Sequence, residues 1–285
     1  MRNQESTAVF EEFQRQYNTF YSIGDLTPTL CALWGIREPA ACGGKTIAPV
    51  LDQADKLMDG LGKVEKTVLF CADALGNAQK EYYTEAFEKI RKVAGFEIKS
   101  TAVMPSVTPV CFGTIFSGAA PCVHGIMKYE KPVLSVETLF DVFAESGKNV
   151  AIIAVNECSI DKIFRQRKVD YYSVRTDEQS FQLARRFIAE DTYDLILCYM
   201  IGYDAAMHKT GPFSETAAAQ AKLAAERFSQ FSEDMETYWK KYNRVLSFVV
   251  DHGGHSVDEQ HGGHGENIPE DMIVNHYYRI CEKSC

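Results

Sequence analysis

Short, almost wholly apolar runs recur along this chain, each separated from the next by a stretch with helical spacing. Val68-Leu69-Phe70-Cys71 is the first and residues 96–103 the second. Val150-Ala151-Ile152-Ile153-Ala154-Val155, residues 193–199 and Val245-Leu246-Ser247-Phe248-Val249-Val250 follow. Residues 81–93, 134–145 (with Ser135 as N-cap) and 177–189 carry the helical period between them. Residues 214–242, rich in Ala, Glu, Gln and Lys and free of Gly and Pro, are the strongest helix former. A strand that alternates apolar and polar residues has one wet face; a run apolar at nearly every position is buried on both. Such runs alternating with helices predict an α/β fold, a mostly parallel central sheet with helices on both faces.

The chain of 285 residues is long enough to bury a full core, and it is read as a single domain over residues 1–285. Residues 1–60 are an N-terminal helical segment packed on a core spanning residues 66–275. A net charge of −9 with no basic stripe excludes a nucleic-acid polymer as the main partner. It leaves room for a small anionic substrate, because bound divalent cations reverse the local field. No run has the length of a membrane span. Met1-Arg2-Asn3-Gln4-Glu5-Ser6 lacks the apolar core of a signal peptide. Nine cysteines, scattered without a CxxC pair, fit reduced thiols and a cytoplasmic setting. The oligomeric state is not encoded in any pattern of this kind.

Four of the seven histidines fall between His252 and His264, directly after the last apolar run. Ligands in an open parallel sheet bind beyond the carboxyl ends of the strands. Asp73 follows the first run there, and Pro105-Ser106-Val107-Thr108-Pro109 the second. Asp204, with His208 one helical turn on, follows the run at 193–199, and Asp251-His252-Gly253-Gly254 the last. Asp204-x-x-x-His208 alone is equally a solvated pair on a helix surface, and His261 and His264 alone are loop histidines. Converging on one edge, the set is sufficient for two metal ions.

These residues lie in an order that resembles the alkaline phosphatase superfamily, close to its nucleotide pyrophosphatase/phosphodiesterase-type members. Four pieces carry the likeness: the strand ending in Asp73; Ser106-Val107-Thr108 followed by Thr114-Ile115-Phe116-Ser117-Gly118, Pro121 and His124-Gly125-Ile126; Asp204-x-x-x-His208 with Gly211-Pro212; and Asp251-His252-Gly253-Gly254 with His264-Gly265 and Pro269-Glu270-Asp271-Met272. The resemblance implies one metal held by Asp204, His208 and His264, and another by Asp73, Asp251 and His252, with the Thr108 hydroxyl as a further ligand. Thr108 is then the nucleophile of a covalent phospho-enzyme, with Ser106 as the fallback. Zinc suits the His/Asp donors best, with manganese the main substitute. His255 and His261 are expected to support the ligands or to be solvated, and His124 to be structural. The implied activity is that of a phosphodiesterase or nucleotide pyrophosphatase acting on a small phosphate ester, a nucleotide among the candidates. The alternatives are a phosphomonoesterase or phosphomutase of the same superfamily, and a catalytically silent metal- or nucleotide-binding protein. A sulfatase is disfavoured, because no C/S-x-P/A-x-R motif is present.

Two departures stand out. Relatives often carry an Asn donor three residues after the nucleophile, where this chain has Cys111, a weaker donor. Asp25-Leu26-Thr27-Pro28-Thr29-Leu30, with Leu33-Trp34-Gly35-Ile36, Pro39 and Gly43-Gly44-Lys45, resembles a segment that relatives carry after their last metal ligand. Here it precedes the first apolar run, which implies a permuted arrangement in which residues 26–36 lie near residues 270–280.

Overall fold

A computed structural model describes residues 2–58 and 63–284. Its strands, in chain order, are β1 (Tyr21–Ser22), β2 (Lys66–Ala72), β3 (Phe96–Thr101), β4 (Val150–Val155), β5 (Asp170–Val174), β6 (Leu195–Met200), β7 (Arg244–Val249), β8 (His255–Ser256), β9 (Gly262–Gly263) and β10 (Ile273–Cys281). Eight of them form one sheet in the order β1-β3-β10-β7-β2-β6-β4-β5, while β8 and β9 form a small hairpin. Every pairing in the large sheet is parallel except those of β10, which runs antiparallel between β3 and β7. The fold is thus the expected mostly parallel α/β sheet with a single reversed strand.

Strands β2, β6 and β7 are buried at every position. Their side chains still divide by the period of two. Phe70 on β2 packs against Phe228 and Phe231 of the helix Glu215–Tyr238, which lies with Thr84–Ala94 and Asp177–Glu190 on one face. Thr67 and Cys71 point the other way. Thr67 Oγ1 accepts from Trp34 Nε1 of the helix Leu26–Trp34 at 3.0 Å, and Cys71 pairs in register with Tyr199 on β6, whose ring meets Phe112 edge-on. Phe112 belongs to the helix Thr108–Ser117, which packs with Leu26–Trp34 and Ser159–Ile163 on this second face. The two faces therefore carry different jobs, and the second one brings Thr108 to the carboxyl edge of the sheet.

Several sequence expectations need correction. The helix expected over 134–145 with a Ser135 cap starts at Leu139, because Thr138 and Asp141 form a reciprocal capping box that fixes the start there. The helix expected over 81–93 is two helices, Asn77–Tyr82 and Thr84–Ala94, broken at Tyr83, whose hydroxyl donates to the Pro212 carbonyl at 2.6 Å. Strand β3 ends at Thr101 and not at 103, since the Ala102 N–H bonds to the Met272 carbonyl at 2.7 Å. The long helix ends at Tyr238, short of 242. The N-terminal segment adds β1 to the sheet edge, and the helix Ala48–Met58 packs on β10. Asp25 organises this segment: its carboxylate accepts from the N–H groups of Ser22 at 2.9 Å and Lys45 at 2.8 Å. No helix among the described residues is long and apolar enough to cross a membrane.

Candidate active site

The carboxyl ends of β7, β2 and β6 are neighbours in the sheet, and each is followed within four residues by an aspartate: Asp251, Asp73 and Asp204. A strand end stops the ladder while the chain is still buried, so these carboxylates stay in the protein interior. Asp204 sits in the first turn of the helix Gly202–Thr210, and His208 one turn later shares its face. The start of this helix is fixed by Asp177, whose oxygens accept from the N–H groups of Ile201 at 3.2 Å and Gly202 at 2.7 Å. Thr108 opens the helix Thr108–Ser117 with Pro109 next to it, an arrangement suited to a helix start, where the proline lacks a donor that would be unpaired anyway.

The structure gathers the sequence-predicted ligands into two groups, Asp204/His208/His264 and Asp73/Asp251/His252, whose donor atoms within each group lie within 4.8 Å of one another. His208 Nε2 is 3.3 Å and His264 Nε2 3.5 Å from Asp204 Oδ1. His252 Nε2 is 3.4 Å from Asp73 Oδ1 and 3.2 Å from Asp251 Oδ2. The His252 and His264 rings stack at 4.0 Å, so the groups adjoin. Thr108 Oγ1 stands 3.4 Å from both Asp73 Oδ2 and His252 Nε2.

Each of the three histidines bonds through Nδ1 to a main-chain carbonyl: His208 to Gly262 at 3.0 Å, His252 to Gly253 at 2.8 Å and His264 to Ser106 at 2.9 Å. A carbonyl only accepts, so Nδ1 carries the proton and Nε2 presents its lone pair to the carboxylates. This is the tautomer of a metal-ligating imidazole. Burial drives His252 down to about 4, and burial with the charge of His252 drives His264 down to about 3, so both are neutral donors near pH 7. Burial pushes Asp251 up to about 8, and burial with the charges of Asp251 and Asp204 raises Asp73 well above the usual carboxylate range.

Such a cluster is costly as it stands. Asp73 Oδ1, Asp204 Oδ1 and Asp251 Oδ2 are buried without a hydrogen-bond partner among the described residues. Buried carboxylate oxygens left unpaired are strongly destabilising unless a cation compensates them. Three such oxygens facing three Nε2 lone pairs make a donor set that fits two divalent ions with mixed nitrogen and oxygen ligands.

Other sequence candidates lie elsewhere. The Ser106 hydroxyl donates to the Glu266 carbonyl at 3.2 Å and takes no place among the donors. His261 is exposed beside Asp258. His255 is bound to Asp271 through Nδ1 at 2.8 Å. His124 is buried, hydrogen-bonded to Thr114 at 3.0 Å, and lowered to about 4 by burial. The Cys111 thiol is fully buried and directed at the Val103 carbonyl, so it offers nothing to a ligand at Thr108.

Sequence reasoning missed Tyr199, whose hydroxyl donates to Asp73 Oδ2, and His276, whose Nε2 donates to the Val250 carbonyl at 2.7 Å just before Asp251. Tyr199 lies five residues before Asp204 within an apolar run, and a buried tyrosine needs a partner for its hydroxyl, which was the available signal.

A parallel sheet with one reversed strand, carrying Asp/His donors at adjacent strand ends and a hydroxyl at a helix start beside them, defines an alkaline phosphatase-like α/β protein. Residues 67–279 match the type I phosphodiesterase / nucleotide pyrophosphatase family, and the chain belongs to that family. Among solved structures it is similar to murine ectonucleotide pyrophosphatase / phosphodiesterase 5, with a TM-score of 0.54 at 16% identity over 68% of this chain and 58% of that one. Phosphonoacetate hydrolase from Sinorhizobium meliloti 1021, in complex with phosphonoformate, matches with a TM-score of 0.51 at 16% identity over 67% and 57% of the two chains. The C-terminal periplasmic domain of phosphoethanolamine transferase EptC from Campylobacter jejuni matches with a TM-score of 0.54 at 12% identity over 76% and 80%. The chain spans less than three fifths of the length of the first two, and at these identities the likeness concerns the fold. No curated protein matches the chain.

Proposed function

We propose that this protein is a two-metal phosphoric ester hydrolase of the phosphodiesterase/pyrophosphatase type, with Thr108 as its nucleophile. The observation that carries this reading is the convergence of three unpaired carboxylate oxygens and three imidazole Nε2 atoms beside Thr108 Oγ1. Divalent ions, zinc best and manganese next, would be held by Asp204/His208/His264 and by Asp73/Asp251/His252 with Thr108, and would supply Lewis-acid polarisation and charge neutralisation.

The chain's own residues do the rest. The Thr108 hydroxyl donates to Asp73 Oδ2 at 3.4 Å, with His252 Nε2 at the same distance, so Oγ1 is oriented before substrate arrives. The start of the helix Thr108–Ser117 directs its positive dipole end to the phosphoryl oxygens. As a bond forms from Thr108 Oγ1 to phosphorus the hydroxyl gives up its proton to solvent, the bond from phosphorus to the ester oxygen breaks, and the departing oxygen takes up a proton in return. Water then attacks phosphorus, breaks the Oγ1–P bond and returns the threonine hydroxyl. Two neighbours support the ligand class: an inactive threonine-to-alanine form of the murine phosphodiesterase 5 was solved with AMP, and the bacterial hydrolase with phosphonoacetate.

The test compares wild type with Thr108→Ala on chromogenic phosphate mono- and diesters with added Zn²⁺ or Mn²⁺. Wild type should turn over at least one ester, and the variant should lose several orders of magnitude in kcat. Equal turnover in both removes Thr108 from the mechanism, and inertness of both on every ester favours a binding protein. The N-terminal position of the segment around Asp25 supports the further reading that this chain is permuted. Structural superposition decides it, and it fails where the helix Leu26–Trp34 has no spatial counterpart at the end of a relative's chain.

A further inference from the structure

The chain leaves β7 after Val249 and re-enters the sheet at β10 only at Ile273, and His252 and His264 both lie on this excursion. Its two limbs pair through β8 and β9, His255 opposite Gly263 and Ser256 opposite Gly262, and nearer the base one residue adds a second tie. The main-chain carbonyl of Asp271 accepts from the Gly253 N–H at 2.9 Å, next to His252. Its carboxylate is fully buried and both oxygens are used: Oδ1 accepts from His255 Nδ1 at 2.8 Å, and Oδ2 from the Glu266 N–H at 2.9 Å, two residues beyond His264. The contact at Gly253 admits no side chain, since a Cβ there would stand 1.9 Å from the Glu270 carbonyl oxygen. His255, at 16% side-chain exposure, turns its Nε2 toward Glu266 Oε1 at 3.7 Å.

We propose that Asp271 and His255 are positioning residues for the metal centre, fixing where the limb bearing His264 stands relative to the limb bearing His252. This rests on the two-ion reading above. The tie is unequal on its two sides. The link to Gly253 uses a main-chain carbonyl and survives substitution of Asp271. The links from Asp271 to the 264–266 limb and to His255 use the carboxylate and do not, which leaves that limb held by the β8–β9 pairing and by the Ser106 contacts to His264 and Glu266. Loss of the carboxylate therefore loosens His264 and spares His252. The ion held by Asp204, His208 and His264 is weakened, while the ion held by Asp73, Asp251 and His252 is kept.

The experiment strips the full-length protein with a chelator and titrates it with Zn²⁺ by equilibrium dialysis and elemental analysis. It compares wild type with Asp271→Asn, His255→Leu, His255→Asn and His264→Ala, and far-UV circular dichroism of the stripped forms reports folding. Asp271→Asn and His255→Leu should keep one tight ion and bind the other about 10–100-fold more weakly, the size seen when an outer partner of a ligand is lost. Their titrations should show the pattern of His264→Ala, one tight ion kept and the other weakened, with a smaller loss. His255→Asn places an amide donor near the position of Nδ1 and should restore binding toward wild type. Folded variants that bind both ions as wild type does overturn the proposal, and so does equal weakening of both ions. If Asp271→Asn does not fold, the contrast between His255→Leu and His255→Asn decides, and no difference between them overturns it. Wild type binding fewer than two ions instead removes the two-ion reading itself.

Discussion

Stripped of metal, the protein should lose stability relative to its Asp251→Asn variant as pH rises from 6.5 to 8, a direction opposite to that set by its buried histidines. Asp251 is pushed up to about 8 by burial, against 3.8 for an ordinary aspartate. A carboxyl whose folded pKa is raised binds more protons folded than unfolded. Its stabilising contribution is complete below the unfolded pKa and is lost as pH rises through the folded one. Between pH 6.5 and 8 the loss is on the order of 1–2 kcal/mol from Asp251 alone, while the folded carboxyl stays mostly protonated. Asp73, raised by burial and by the charges of Asp251 and Asp204, adds to it with the same sign. His208, raised by its bond to Asp204, also falls in this sense.

The buried histidines act the other way and lower down. Burial takes His124, His252 and His276 to about 4 and His264 to about 3, so their contribution grows with pH. An unfolded histidine is half protonated at about 6.5, so each still gains a few tenths of a kcal/mol, on the order of 1–2 kcal/mol for the four, before pH 8. The buried thiols of Cys71, Cys111 and Cys198, all raised by burial, make their difference only above pH 8. The histidine gains offset much of the Asp251 loss in wild type, so that loss is read against Asp251→Asn, which keeps the histidines. At about 2–4 °C per kcal/mol, stripped wild type should lose roughly 2–8 °C of Tm across the window relative to stripped Asp251→Asn. Calorimetry of the stripped protein at half-unit pH steps measures this. Added Zn²⁺ should raise Tm more at pH 8 than at 6.5, because binding there displaces fewer protons. An equal change of Tm with pH in stripped wild type and stripped Asp251→Asn would refute the reasoning.

Tyr199→Phe removes the hydroxyl that orients Asp73 Oδ2 without opening a large cavity. Metal affinity should drop about 10–100-fold, read by chelator competition, with the stripped protein still folded. Cys111→Asn, which would install the donor common in relatives, should not raise turnover, because position 111 faces the Val103 carbonyl in the core. It should instead cost about 1–3 kcal/mol in denaturant unfolding for a buried, poorly paired amide. A gain in diesterase activity with stability intact would contradict this placement.

The site was more legible in the sequence than the fold around it. Asp73, Asp204 and Asp251 each follow a run apolar enough to be a strand buried on both faces, and a carboxylate directly beyond such a run has no structural reason to be there. The spacing of Asp204 and His208 reads directly as one helical turn. The reversed strand β10 was not legible: Ile273–Cys281 mixes apolar residues with Asn275, His276 and Arg279, and strand direction leaves no local trace. Strand β5 was missed because Asp170–Val174 is a half-exposed edge with no apolar run. Tyr199 was hidden because an aromatic residue inside a strand reads as packing, and only the register that sets it beside Cys71, two residues before Asp73, shows its hydroxyl at the site.

The acceptors that select the histidine tautomers are the carbonyls of Ser106, Gly253 and Gly262, groups that every amino acid possesses. No side-chain replacement at those three positions deletes an acceptor; it can only shift the main chain that presents it. The imidazoles thus depend on the path of the backbone and not on the identity of a neighbouring carboxylate. Sequence drift at Ser106 is tolerable wherever the loop keeps its course. The glycines at 253 and 262 are constrained by crowding instead, since a Cβ at either would meet neighbouring atoms at 1.9 and 2.5 Å.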